Sequence, residues 1–286
     1  MQPVSVDHYE NFPVASLLCP PRLRPAVAAI YWFARTADDI ADEGDAAPAQ
    51  RLRDLADYRS QLDAVVAGAS AASRPEVFTP LARALRDFSL PPSLLRDLLS
   101  AFEQDVTKTD YGDRIELLDY CRRSANPVGR LLLHLYGVDD ETSREQSDAI
   151  CTALQLINFW QDLSIDTVRG RLYAPRSDRL HHGVSSQSLL TQTDGPRVRS
   201  LVAELVGWSR SLMEAGAPLV HAVPGRAGWE LRFVVQGGLR ILDKIERMRF
   251  SSLQARPRLR WFDAPVILWR ALCMRPHDAT MASKAT

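Results

Sequence analysis

Two pairs of aspartates stand at helical spacing, and carboxylates so placed can hold a hard divalent cation. Asp38 and Asp42 lie in Arg35-Thr-Ala-Asp38-Asp39-Ile-Ala-Asp42-Glu43, four residues apart and therefore on one helix face. Asp162 and Asp166 lie in Gln155-Leu-Ile-Asn158-Phe-Trp-Gln-Asp162-Leu-Ser-Ile-Asp166. There Asn158 extends the repeat to i, i+4, i+8, and Gln155 adds a neighbour one turn earlier. The face bearing Asp38 runs back through Ala34, Tyr31 and Val27, so these acids are expected where core residues would stand. Like charges at this spacing destabilise an isolated helix by about 0.2–0.5 kcal/mol, and inside a core by far more unless a cation is present. One such pair is ordinarily a solvated face. Two pairs, the second in an otherwise apolar segment without a nearby lysine, point to a cation-filled cavity between helices. All-oxygen donors suit Mg²⁺, which takes one or two carboxylates and completes its shell with water and phosphate oxygens. Basic groups adjoin both motifs. Arg35 precedes Asp38 by about one turn, and Arg169-Gly170-Arg171-Leu-Tyr173 follows Asp166. Gly170 reads as a helix terminator that leaves Arg171 and Tyr173 free to turn back toward the metal. An arginine fork binds phosphate in two-pronged fashion. The chemistry implied is metal-assisted binding of a diphosphate.

The elements carrying these residues are helical nearly throughout. Val27, Ile30, Tyr31 and Ala34 repeat at i, i+3, i+4, i+7, with Leu23 extending the face backwards and Pro25 near its start. Further helices are expected over about 49–68, 79–88, 93–107, 114–124, 127–137, 143–168, 196–215, 227–250 and 262–274. Short signals such as Pro91-Pro92-Ser93, Asn126-Pro127 and Gly216-Ala217-Pro218 separate them. The stretch 175–195 is the longest polar connector. The segments on either side of it have wide apolar faces that need partners, so one all-α domain spanning 1–286 is expected. Its core covers about 8–250, followed by a basic and aromatic segment at 251–276 and a tail at 277–286. No period-2 run and no fixed repeat is present.

Composition bounds the function classes. The 286 residues contain 35 basic and 35 acidic side chains, and this zero net charge excludes a general field for nucleic acid. The 46% of hydrophobic residues suffices for a core. Cys19, Cys121, Cys151 and Cys273 are far apart and form no CxxC pair, which reads as free thiols in a reducing compartment and excludes the usual zinc spacing. The N-terminus lacks a basic region before its short apolar run, and no stretch approaches the roughly 18–20 apolar residues of a membrane span. A cytoplasmic location is expected. Residues 244–276 nevertheless contain eight Lys/Arg and two acids, a net of +6, interleaved with Trp261, Phe262 and Trp269. Such a segment could touch an anionic membrane surface from the inner face. Oligomeric state has no sequence signal.

On these residues the chain resembles the squalene/phytoene synthase family of head-to-head isoprenoid synthases. The matching segments are His8-Tyr-Glu-Asn-Phe12-Pro-Val-Ala-Ser16, Tyr31-Trp-Phe-Ala-Arg35-Thr-Ala-Asp38-Asp39-Ile-Ala-Asp42 and Tyr120-Cys121 through Val128-Gly129. Then come Gln155-x-x-Asn158-x-x-x-Asp162-x-x-x-Asp166 and Gly170-Arg171-x-Tyr173-x-Pro175. They occur in the family's order and span most of 8–250. The resemblance implies an all-α isoprenoid-synthase bundle with a central cavity, in which facing aspartate motifs hold Mg²⁺ and a prenyl diphosphate. Asp38, Asp42, Asp162 and Asp166 would ligate the metal. His8, Ser16, Arg35, Gln155, Asn158, Arg171 and Tyr173 would bind the diphosphate, and Asn158 could also serve as an oxygen ligand. Phe12, Tyr31 and Tyr120 would stabilise a carbocation with their ring faces. Within the family, 8–16, Ser124–Gly129, Asn158–Asp162 and Val235–Leu239 are most like the hydroxysqualene synthases of bacterial hopanoid biosynthesis. That implies presqualene diphosphate and water as substrates. Asn126, Gln161 and Gly238 stand where squalene- or phytoene-forming relatives usually carry glycine, arginine and tyrosine, and Asn126 is the expected water-positioning group. The alternatives are condensation of two farnesyl diphosphates and a non-catalytic assembly factor of the same fold. No GxGxxG follows a strand, so no nicotinamide site is expected.

Overall fold

Proline punctuation sets the starts of the first four helices. The computed structural model describes residues 19–70 and 72–275. Helices α1 (Arg24–Asp42), α2 (Pro48–Val66), α3 (Pro75–Phe88) and α4 (Pro92–Asp105) each carry a proline in the first turn, where its missing N–H removes no hydrogen bond. They form a first compact unit, ending at Lys108. Helix α1 packs on α2, α3 and α4 through Ala26, Val27, Ala29, Ile30, Phe33, Ala37 and Ala41. The Phe33 ring stacks on Tyr58 at 5.2 Å, and Tyr58 lies 4.8 Å from Phe78. The Tyr58 hydroxyl donates to the Phe33 carbonyl at 3.1 Å, satisfying the polar end of a buried ring. Helix α3 begins four residues before the expected position 79, and Pro80 lies inside it.

The second compact unit begins at Thr109. It comprises α5 (Arg114–Ser124), α6 (Asn126–Tyr136), α7 (Glu141–Gln161), α8 (Leu163–Asp166), α9 (Arg176–His181), α10 (Ser186–Leu190), α11 (Pro196–Gly216), α12 (Leu219–Ala222), α13 (Gly225–Arg247), a 3₁₀ turn (Trp261–Asp263) and α14 (Ala264–Cys273). Asp113 and Asp140 cap α5 and α7 by accepting from the N–H groups of Glu116 and Ser143, both at 2.9 Å. Helix α7 is the axis of this unit, packed on α5, α6, α12 and α13 and most extensively on α11. The buried Trp160 indole of α7 donates to Ser209 of α11 at 2.7 Å. Among the described residues the only β pairing is an isolated bridge between Asp110 and Leu172. The all-α expectation therefore holds, and no helix of the described residues is long and apolar enough to cross a membrane.

Two expectations need correction. The helix expected over 143–168 is broken: α7 ends at Gln161, and Asp162 adopts φ −98° and ψ 11° before α8. The polar connector 175–195 is ordered, with α9 and α10 inside it. Two of its charges, Asp178 and Arg179, are buried and paired, while Arg176 stays exposed. Arg179 donates to Asp110 and Ser186, each at 2.5 Å, and Asp178 accepts from Arg114.

The glycine of the Asn126-Pro127-Val128-Gly129 motif has a packing reason. A Cβ at Gly129 would fall 2.6 Å from Cys151 Sγ and overlap Ser147 Oγ, so α6 and α7 approach closely there. Gly129→Val is expected to cost about 1–3 kcal/mol by overpacking, read as a lowered melting temperature. An unchanged melting temperature would show that the two helices part freely.

Candidate active site

In the first unit Asp38 and Asp42 share a face of α1, but not the buried one. The buried residues of α1 follow Ile30, Phe33, Ala37 and Ala41, whereas Tyr31, Ala34, Arg35 and Asp38 are half-buried and Asp42 is exposed. The acids flank the core stripe rather than interrupt it. That geometry is compatible with charge, because flanking carboxylates keep solvent or a ligand on one side. Arg35 lies within their reach. Its Nη2 is 2.6 Å from Asp39 Oδ1 and 2.7 Å from Glu43 Oε1, and its Nη1 is 3.4 Å from Asp38 Oδ2. Burial and the neighbouring Glu43 raise the Asp39 carboxyl above its ordinary value, with Arg35 opposing them.

The end of this motif is held by a residue that sequence reasoning missed. Arg51 of α2 donates to the carbonyls of Ile40 at 3.1 Å, Glu43 at 2.9 Å, Gly44 at 2.6 Å and Ala46 at 2.9 Å. It satisfies carbonyls that the helix terminus leaves without intrahelical partners. Its position, eleven residues after Ile40, gives no local signal of this clasp.

In the second unit the half-buried face of α7 carries Leu154, Gln155 and Asn158 and continues to Asp162 and Asp166. The break at Asp162 preserves the spacing, since Asp162 N–H donates to Asn158 O and Asp166 N–H to Asp162 O, both at 2.9 Å. Asn158 Nδ2 donates to Asp162 Oδ2 at 3.4 Å. Gly170 then takes φ +77°, a left-handed conformation that glycine adopts without strain. The Arg171 N–H turns back to the Asp166 carbonyl at 2.8 Å, as the terminator reading expects. Arg171 is half-buried.

Tyr173 departs from that reading. Its ring is buried and stacks face to face on Phe159 at 3.7 Å and 6°. Tyr111 and Tyr120 complete the cluster, 5.8 Å and 6.5 Å from Tyr173. Tyr173 and Tyr120 thus belong to one packed aromatic wall, and Tyr173 is not turned loose after Gly170. In the first unit Tyr31 meets Trp32 edge to face at 5.2 Å. Asn126 is buried as the first residue of α6 and makes no side-chain cap. Instead its Oδ1 accepts the Thr152 hydroxyl at 3.0 Å. His8, Phe12 and Ser16 lie outside the described residues.

A second missed residue is Arg256, whose Nε donates to Asp162 Oδ1 and whose Nη2 donates to Oδ2 at 3.2 Å. It arrives on a strap over 251–257. Gln161 Nε2 donates to the Pro257 carbonyl at 2.9 Å, Gln254 Nε2 to the Gln192 carbonyl at 2.8 Å, and Gln192 Nε2 to the Ser164 carbonyl at 2.7 Å. Gln161, read from sequence only as a departure from an expected arginine, anchors the residue next to Arg256. Gly238 is explained by packing, because a Cβ there would lie 2.9 Å from Met213, 3.2 Å from Leu154 and 3.3 Å from Ile157.

The donor sets suit a hard cation. Asp38, Asp42, Asp162 and Asp166 offer only oxygen, and Arg256 is a positive partner of Asp162 in this structure. The chain also matches known proteins. Residues 6–263 match the family described as squalene/phytoene synthase. A hydroxysqualene synthase of Rhodopseudomonas palustris is 38% identical over 84% of this chain and 79% of its own length. A squalene synthase structure from Alicyclobacillus acidocaldarius superposes with a TM-score of 0.78 at 36% identity, covering 85% of this chain and 90% of that one. A dehydrosqualene synthase structure, at 20% identity and a TM-score of 0.79 over 89% of this chain and 88% of that one, shares the fold.

Proposed function

Because the chain belongs to the squalene/phytoene synthase family, we propose that it converts presqualene diphosphate and water to hydroxysqualene and diphosphate, in squalene and hopanoid biosynthesis. The carrying observation is the 38% identity, over 84% of this chain, to a relative that bears the name of that activity. The reading rests further on Asn126, Gln161 and Gly238, at which the chain departs from squalene- and phytoene-forming relatives. Asp38 and Asp42, with Asp162 and Asp166, would hold Mg²⁺, and Asn158 offers another oxygen donor. When bound, Mg²⁺ neutralises charge on the departing diphosphate.

Arg35 and Arg171 would offer guanidinium groups to the diphosphate oxygens, with His8, Ser16 and Gln155 as further polar contacts. Their charge favours heterolysis of the carbon–oxygen bond, because it meets negative charge that grows in the transition state. Phe12, Tyr31 and Tyr120 are the rings we assign to stabilising the cyclopropylcarbinyl cation that is left behind. The cation rearranges, one water forms the new carbon–oxygen bond, and a proton leaves. Asn126, fixed by Thr152, is the group we assign to positioning that water. The test is incubation of the protein and Mg²⁺ with presqualene diphosphate or farnesyl diphosphate, followed by product identification. Hydroxysqualene from presqualene diphosphate is expected, and Asn126→Gly should shift products away from the alcohol. An unchanged alcohol yield removes Asn126 from that role.

A second reading is head-to-head condensation of two farnesyl diphosphates, favoured by the 36% identity to a structure named as a squalene synthase. Consumption of farnesyl diphosphate in the same assay would establish it. A non-catalytic assembly factor would consume neither substrate.

A further inference from the structure

Helix α14 is apolar on both sides: Val266 and Ile267 are half-buried and Ala271 is buried, while a second apolar stripe faces outward. Its inner side is also held to α13 by polar groups. Asp263, at its start and fully buried, accepts from Arg240 Nε at 2.8 Å and lies 2.6 Å from Lys244 Nζ. Arg270 donates to Asp243 at 2.7 Å. Arg232 donates to the carbonyls of Ala271 and Met274, each at 3.2 Å. Ala271 is the only buried side chain of the helix.

The outer side is apolar. Ala264, Pro265, Leu268, Trp269, Leu272 and Cys273 recur at i, i+1, i+4, i+5, i+8, i+9 and are all exposed. Trp261 and Phe262 extend the stripe, with Trp261 86% and Trp269 68% exposed. A helix packed on a domain ordinarily turns such a stripe inward, and a contiguous exposed apolar patch marks a contact surface. The flanks are basic, with Arg258, Arg260 and Arg275 exposed. The two acids among residues 244–276 do not offset them: Asp263 is buried, and Glu246 accepts from Arg210 at 2.8 Å.

We propose that this face docks on an anionic phospholipid bilayer. Trp261, Phe262, Trp269 and Leu272 enter the headgroup boundary, and Arg258, Arg260 and Arg275 meet lipid phosphates. The helix lies in the interface, being too short to span. Charge selects the occupant, since a second copy docked through the same patch would bring like charges together, whereas anionic headgroups complement them.

The test is sedimentation of the full chain with vesicles of phosphatidylcholine alone or containing phosphatidylglycerol. Binding to the anionic vesicles is expected, with tryptophan fluorescence quenched by brominated acyl chains. Trp261→Ser with Trp269→Ser, and separately Arg258→Glu with Arg260→Glu, should each weaken it by about tenfold or more. Circular dichroism should stay unchanged, because all four side chains are exposed. No binding to anionic vesicles overturns the proposal. So does a dimer in light scattering that the tryptophan variant dissociates while vesicle binding is absent.

Discussion

Asp38→Ala is expected to lower Mg²⁺-dependent release of diphosphate from presqualene diphosphate by about 10²–10³-fold, the loss typical of removing one preorganised electrostatic contact to developing charge. The melting temperature should barely move. Asp38 is half-exposed and sits among Asp39, Asp42 and Glu43, so removing it relieves like-charge repulsion, and surface substitutions ordinarily stay within about 0.5 kcal/mol. This separation makes Asp38 a cleaner probe than Asp162, whose loss would leave Arg256 part-buried without its acid and so mix stability with chemistry. Diphosphate release and thermal melting on the same samples check both halves. Normal turnover by Asp38→Ala would remove the first aspartate pair from the metal site.

Asp263→Ala carries the largest expected effect on stability. Its carboxylate is the buried partner of Arg240, Lys244 and the Arg260 N–H. Breaking a buried pair from one side costs about 3–5 kcal/mol, which for the second unit corresponds to a fall of about 10 °C in melting temperature. Acid should reproduce part of this. Burial pushes the Asp263 carboxyl upward, but the hydrogen bonds from Lys244, the Arg260 N–H and Arg240 outweigh it and bring the group to about 2. An unfolded aspartate titrates near about 3.9. The folded value is the lower one, so the contribution is complete above about pH 4 and is lost as pH falls toward about 2. The difference in melting temperature between parent and variant should therefore be constant near neutrality and shrink below about pH 4. A constant difference down to pH 2 would show that this carboxylate does not carry the linkage.

The helical class and the aspartate motifs were legible because both depend on short-range periodicity. Asp38 with Asp42 and Asp162 with Asp166 needed only the i, i+4 rule, and Gly170 ended its segment as its lack of a Cβ allows. The burial of the first pair was misread because Ala34, small and apolar, fits the edge of a stripe as well as its centre. About 100° of rotation separates the centre of the buried face, at Ile30, Phe33, Ala37 and Ala41, from the line of Tyr31, Asp38 and Asp42, with Val27 and Ala34 between them. Arg51, Arg256 and the Phe159–Tyr173 stack were not legible. Each depends on tertiary contact, and nothing in the local spacing distinguishes Arg256 from its basic neighbours Arg258 and Arg260. The buried pairs of Asp178 and Arg179 were hidden likewise, since their polarity alone reads as a loop.

The strap at 251–257 has a consequence for how the chain acquires its shape. Asp162 and Arg256 are 94 residues apart in sequence, and Gln161 and Pro257 are 96 apart. A nascent chain emerging from a ribosome exposes the second aspartate motif long before the arginine that closes on it has been synthesised. Closing so long a loop is entropically costly and tends to be slow, so α7 and α8 are expected to gain their helices early and their ionic partner last. Premature termination between Asp166 and Arg256 would leave the motif intact in sequence yet unclosed.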